Sequence, residues 1–181
     1  METIRTARLH LKRFEEKDIP QLMNIANDPL LRKHTGDSFP HPYDLAAAQF
    51  WVKEGAKQEY GHQEFGIFLW ECLIGGGGIE LGKGREMKNM HVGYWIGEKY
   101  RGQGYATEFL QAMVDYAFKT YDIERVRSGV YSYNPASARV MEKSWFLREG
   151  CLRNAIFYNG VLADLRIYGL TRVDFEEKKS F

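Results

Sequence analysis

Apolar and polar positions alternate over residues 8–14, from Arg8 through Leu9, His10, Leu11 and Lys12 to Phe14, the period of a strand that buries one face. The period then lengthens. Asp18 stands where a helix cap is expected, and Ile19, Leu22, Met23 and Ala26 follow at helical spacing. Gly36, Asp37, Ser38, Pro40 and Pro42 predict a loop over residues 34–42. Leu45, Ala48 and Val52 predict a second helix that starts at Asp44 and ends near Gly55. Strands are expected over 64–70 and 73–81, with a tight turn at Glu71 and Cys72, and then over 91–96 after a polar hairpin loop. The clearest helix opens at Gly104, with Leu110, Met113, Val114, Ala117 and Phe118 on one face. A strand over 125–131, a short helix over 135–143 and a strand over 146–153 follow. Asn159 and Gly160 predict a two-residue hairpin turn into a last strand over 163–170. Glu176 to Lys179 read as a solvated end.

Alternation between the two periods points to mixed α/β architecture. At 181 residues and 44% hydrophobic, the chain suits a single domain, 1–181, around one core. With 25 basic against 24 acidic residues the net charge is +1, which argues against generic nucleic-acid binding. No apolar run has signal-peptide or membrane-span length, so a soluble cytoplasmic protein with no membrane partner is expected. Cys72 and Cys151 lack metal-ligand spacing and are expected as reduced, partly buried thiols; no metal is expected. Trp51 and Trp145, read as exposed aromatics, leave either a monomer or a homodimer open.

The chemistry gathers in residues 92–108. A strand runs into a turn containing Gly102 and Gly104, and the turn opens the long helix. First-turn amides of a helix lack internal partners and carry partial positive charge. Glycines let a phosphate approach them, and Arg101 adds a formal charge at the mouth. The same glycines also serve an ordinary strand-to-helix turn. Neither the P-loop pattern nor GxGxxG is present, which removes support for nucleotide hydrolysis and dinucleotide binding.

Arg101-Gly102-Gln103-Gly104-Tyr105-Ala106 resembles the Q/R-x-x-G-x-G/A signature of the GNAT N-acetyltransferase superfamily. Asn134-Pro135-Ala136-Ser137, followed by a helix and Lys143, resembles that superfamily's second motif. Thr6 to Leu11, Gly93-Tyr94-Trp95-Ile96, Glu149 to Asn154 and Asp164 to Arg172 are similar to its RimJ/RimL branch of ribosomal-protein N-terminal acetyltransferases. The resemblance implies a mixed, mostly antiparallel twisted sheet of about seven strands with helices on both faces. It implies acetyl-CoA held by Arg101 to Ala106, with Asn134 and Ser137 on the pantetheine arm and backbone donors around Trp95 and Ile96. The implied partner is an amine acceptor: a protein or peptide N-terminus, or a small amine such as a polyamine. A third reading is a non-catalytic acyl-CoA-binding module.

For the catalytic groups, Glu80 and His91 are the candidate bases and Ser137 the candidate acid. Each also has a structural reading, as a solvated edge carboxylate, a hydrogen-bonded surface histidine and part of a helix cap. Met141 stands where many superfamily members carry a thiolate-protonating Tyr, and His91 where relatives often have Glu. Trp145 replaces the family's usual Gly; Trp resists positive φ, so a differently built helix end is expected. Gly75 to Gly78 read as a bulge or a loose edge.

Overall fold

The computed structural model describes residues 3–37, 39–56 and 58–179. In chain order these form β1 (Ile4–Arg5), β2 (Leu9–Lys12), α1 (Ile19–Ala26), α2 (Pro29–Thr35), α3 (Leu45–Phe50), β3 (Gln58–Glu59), β4 (His62–Leu69) and β5 (Cys72–Leu81). They continue through β6 (Asn89–Ile96), α4 (Tyr105–Thr120), β7 (Arg125–Tyr131), α5 (Pro135–Lys143), β8 (Leu147–Tyr158), β9 (Val161–Thr171) and α6 (Arg172–Lys179). The strands make one sheet in the order β1-β2-β4-β5-β6-β7-β9-β8, with β3 beside β4. Among the described residues, only β6 and β7 run parallel. The expected mixed, mostly antiparallel sheet is present, enlarged by the two-residue strands β1 and β3.

Side chains alternate across this sheet and sort the core into two layers. Val92, Ile96 and Val126 pack with Phe109, Leu110 and Met113 of α4 and with Ala138 and Met141 of α5. On the opposite face Phe14, Phe68 and Leu73 pack with Leu22 of α1 and Ala48 of α3, and Trp95 joins them. Met141 is therefore a core residue. The glycine run lies at the sheet centre rather than at an edge, because β5 pairs with both β4 and β6. A side-chain carbon on Gly77 would come within 2.6 Å of the Gly93 carbonyl and 2.7 Å of the Phe109 ring. The bulge precedes the run: Ile67 pairs with Gly75 and Phe68 with Leu73, leaving Ile74 extra.

Several expectations are corrected. The β4–β5 turn is at Trp70 and Glu71, one residue early, because Leu69 already pairs with Cys72. Residues 29–35 form α2, capped by the Asp28 carboxylate accepting from the Leu30 amide (2.8 Å), so His34 is helical. Asp18 does not cap α1 with its side chain; it accepts from the Glu15 amide instead. Residues 176–179 are exposed, as expected of a solvated end, and belong to α6, which is anchored by Phe175 stacking on Phe118 at 4.9 Å. Both cysteines are exposed. Trp51 and Trp145 are half-buried, Trp51 edge-on to Phe14 and Trp145 against Phe175. Trp145 does take a positive φ, 69°. Its amide bonds the Glu142 carbonyl and that of Phe146 bonds Met141, the glycine-type helix end built with a tryptophan. The Asn159 and Gly160 turn forms as expected, both residues at positive φ.

Candidate functional site

Between β6 and α4 the chain makes a short 3-10 turn and then crosses Arg101 to Gly104. Gly102 and Gly104 have φ of 75° and 84°, angles an L side chain resists. Gly102 faces open space, and no side chain caps the start of α4. First-turn amides of α4 therefore lack a side-chain partner. The Arg101 charge is less available than expected: its guanidinium is bonded to the Asp28 carboxylate and to the Ile96 carbonyl. A cation not foreseen stands beside the loop. Arg8 donates to Glu108 (2.6 Å) and to the Gln103 carbonyl (3.0 Å), and lies 4.6 Å from the Tyr105 ring centroid. Tyr105 is buried under it, so only its backbone serves the loop. The Gln103 amide is turned back to the Lys99 carbonyl, and Ala106 is half-buried in the first turn.

β6 and β7 are paired only from Asn89 to His91, after which they separate. Ser128 Oγ donates to the Val92 carbonyl (2.9 Å) at the point of divergence. Alternate residues of a strand turn their backbone groups to opposite neighbours. The Val92 and Ile96 carbonyls are met by Ser128 and Arg101, whereas the Gly97 amide bonds Ile74 of β5. Tyr94 and Ile96 thus direct backbone into the fork, and Trp95 directs its own toward β5. The fork's far wall is α5. Asn134 Oδ1 accepts from the Ser137 amide (3.1 Å), the helix-cap reading of that pair, and Ser137 Oγ lies 3.0 Å from Tyr94 Oη. Burial pushes the Tyr94 phenol up to about 12, against the Ser137 bond, so it stays protonated. Tyr94 is a functional candidate that residue type alone did not single out; its place two residues from Val92 and from Ile96 on one face was the available signal.

The opposite sheet face, in the row where β6 and β7 are still paired, carries the candidate bases. His62, Glu80, His91 and Arg127 are successive cross-strand partners on β4, β5, β6 and β7. Glu80 and His91 are thus neighbours in one row, not alternatives in separate places. His91, solvent-facing, lines a recess of about 260 Å3 with Glu80, Glu86 and Arg127. Desolvation by the groups crowding the recess and the Arg127 guanidinium push its imidazole below the ordinary value, against the pull of Glu80. Arg127 is itself paired with Glu86 at 2.9 Å. Across the fork's outer end, Phe39 meets Trp95 edge-on at 5.6 Å, and Tyr133 donates to the Lys33 carbonyl of α2 (2.9 Å). Ser137 and Arg101 are thus both brought to the fork-side edge of β6, at Tyr94 and Ile96, whereas Glu80 and His91 line a separate recess on the opposite sheet face.

A family model described as an acetyltransferase (GNAT) domain matches residues 8–146. The SPbeta prophage-derived N-acetyltransferase YokL of Bacillus subtilis is 31% identical over 170 residues, 93% of this chain and 92% of that protein. The Escherichia coli ribosomal-protein-serine acetyltransferase is 32% identical over 81 residues, 45% of each chain. The structure of RimL, a ribosomal L7/L12 α-N-protein acetyltransferase, in complex with coenzyme A shares the fold, with a TM-score of 0.81 at 24% identity over 94% of this chain and 98% of that one.

Proposed function

Because the chain belongs to the GNAT acetyltransferase family and is an acetyl-CoA-dependent N-acetyltransferase, we propose that its acceptor is an α-amine at a protein or peptide N-terminus, attacking the thioester directly. The observation that carries this reading is the fork opening onto the loop: β6 and β7 part just before β6 leads into Gly102 and Gly104. The fork would hold a slender pantetheine arm, and the first-turn amides of α4 would hold its pyrophosphate. The chain's residues fit that group, since Gly102 and Gly104 hold angles a side chain resists and the Arg8 guanidinium, paired with Glu108, lies beside the loop. The ribosomal branch is supported by Thr6 and Arg8, whose motif braces this loop through Glu108.

Three tasks fall to the chain. His91 takes the ammonium proton, the fork-facing amides of Tyr94 and Ile96 donate to the developing oxyanion, and Tyr94 with Ser137 donates to the departing sulfur. An α-amine has a pKa near 7.7–8.0, so roughly a tenth is already neutral at pH 7 and a weak base suffices. His91 accepts a proton only when neutral. Its lowered pKa keeps it neutral through pH 7, and kcat/KM is expected to fall only as pH drops through that value, below the ordinary 6.5.

The test is thiol release from acetyl-CoA with a free-N-terminus peptide and spermidine as acceptors. Turnover of the peptide is expected, with His91→Ala lowering kcat roughly ten- to a hundredfold and leaving acetyl-CoA affinity by calorimetry unchanged. Turnover of spermidine alone supports a small-amine acceptor. Tight acetyl-CoA binding with no turnover of either supports an idle acyl-CoA module.

A further inference from the structure

The sheet face turned away from α4 carries a patch bare of side chains. Gly78 of β5 and Gly93 of β6 are cross-strand partners, and Gly78 is opposite Glu64 of β4. A side-chain carbon on Gly93 would meet only His91 Cε1, at 3.9 Å, so open space lies above it with the imidazole at its border. A carbon on Gly78 would lie 2.6 Å from Glu64 Oε2; that place is already filled by the carboxylate. Glu64 therefore lies across the β5 backbone toward Gly93. Its side chain is 20% exposed, and Oε1 is 3.5 Å from His62 Nε2.

We infer that Glu64 is the residue that binds the acceptor, holding its ammonium above Gly93 beside the His91 imidazole. This rests on the acetyl-transfer reading above and assigns the recognition step within it. Adjacent strands are about 4.8 Å apart, so an ammonium over Gly93 is one strand from a carboxylate over Gly78, within ion-pair reach. Partial shielding from water strengthens such a pair. Because Gly93 has no side chain, the amine reaches the strand directly, while Phe39 and Trp95 bound the space toward the loop. One N–H bond of the ammonium then breaks as another forms on His91, the freed lone pair attacks the thioester carbon, and as the C–S bond breaks the second amine proton is lost and the departing sulfur is protonated by way of Tyr94. Glu80 stands one row away, opposite both His62 and His91, and acts through them as a positioning charge. Among the described residues, the other charged groups facing these include Glu59 near His62, and Arg127 with Glu86 near His91.

Glu64→Gln keeps the shape and removes the charge. With the peptide or spermidine, whichever the wild type acetylates, acceptor KM is expected to rise about ten- to a hundredfold, with kcat changed only a few-fold and acetyl-CoA affinity unchanged. Glu64→Asp, charged but shorter, should recover part of the loss, and if the Gln variant does not fold it still tests the reach of the carboxylate through a smaller rise in acceptor KM. Titration of the His62 imidazole by NMR reports the lost charge independently. It should fall in Glu64→Gln, because the Glu64 bond is the chief cause raising it. A lowered His62 titration with acceptor KM unmoved overturns the inference. Wild-type protein that releases thiol with neither amine overturns the acetyl-transfer reading itself, a distinguishable result.

Discussion

Trp145 holds a backbone angle that glycine takes more cheaply, at a cost of roughly 1–2 kcal/mol for a side chain in the left-handed region. Against that cost stands its ring, half-buried beside Phe175. Complete burial of a large aromatic is worth about 3–5 kcal/mol on truncation, so a half-buried one is worth about 2. Packing wins narrowly. Trp145→Gly should lose about 1 kcal/mol, read from the denaturant midpoint at unchanged slope. A variant more stable than the parent shows that strain dominates. The cost of the angle is visible in the residue type, but the partner that offsets it is thirty positions away on α6 and is not. Tyr94 teaches the same lesson: the alternation of β6 says which face it takes, yet not that Ser137 waits there.

At the scale of elements, α4 is docked to the opening segment through one carboxylate. Glu108 accepts from Thr6 Oγ1 (2.6 Å), the Arg8 amide (2.8 Å) and Arg8 Nε (2.6 Å). Burial raises its pKa, but these bonds prevail and hold it below the usual carboxylate value. A folded-state pKa below the unfolded one contributes stability present above the unfolded value, near 4.3, and lost as pH falls through the lowered one. Glu108→Ala should cost about 2–3 kcal/mol at neutral pH and less in acid, measured by unfolding at pH 7 and pH 3. Because Arg8 also holds the Gln103 carbonyl, acetyl-CoA affinity should weaken in the same variant. An equal stability loss at both pH values places the effect in packing rather than charge. Thr6-x-Arg8 and the glycine loop were each legible as motifs; that one braces the other was not, because 95 to 102 positions separate the bonded residues.

For the whole molecule, acetyl-CoA is expected to touch the loop, β6, β7 and α5 together, groups held in one sheet and one core. A ligand at a hundredfold its Kd stabilises by about 2.7 kcal/mol. For a chain of 181 residues that corresponds to a rise of about 5–10 °C in Tm, readable by differential scanning fluorimetry. A shift that scales with acetyl-CoA concentration and disappears with S-acetylpantetheine, which lacks the pyrophosphate, tests the loop as its anchor. A shift of equal size without the pyrophosphate removes the loop from that role.

Periodicity, caps and turn residues are local, so the sequence by itself determined most elements, the Asn159 and Gly160 turn, and the glycine loop at the head of α4. It also marked Glu80, His91, Asn134 and Ser137, because their chemistry is a property of the side chain. Where the local signal was short, as over the seven residues of α2 or beside the single buried Phe175 of α6, it was not legible. Tertiary structure alone decided which side chains meet. The row His62, Glu80, His91 and Arg127 exists only through the register of four strands, and a slip of one residue would turn a strand's contribution to the other face. The place of Glu64 over Gly78 and the fork between β6 and β7 arise the same way. Register and strand order are set by the packing of the entire core, a sum over distant pairs that no short stretch of the chain contains.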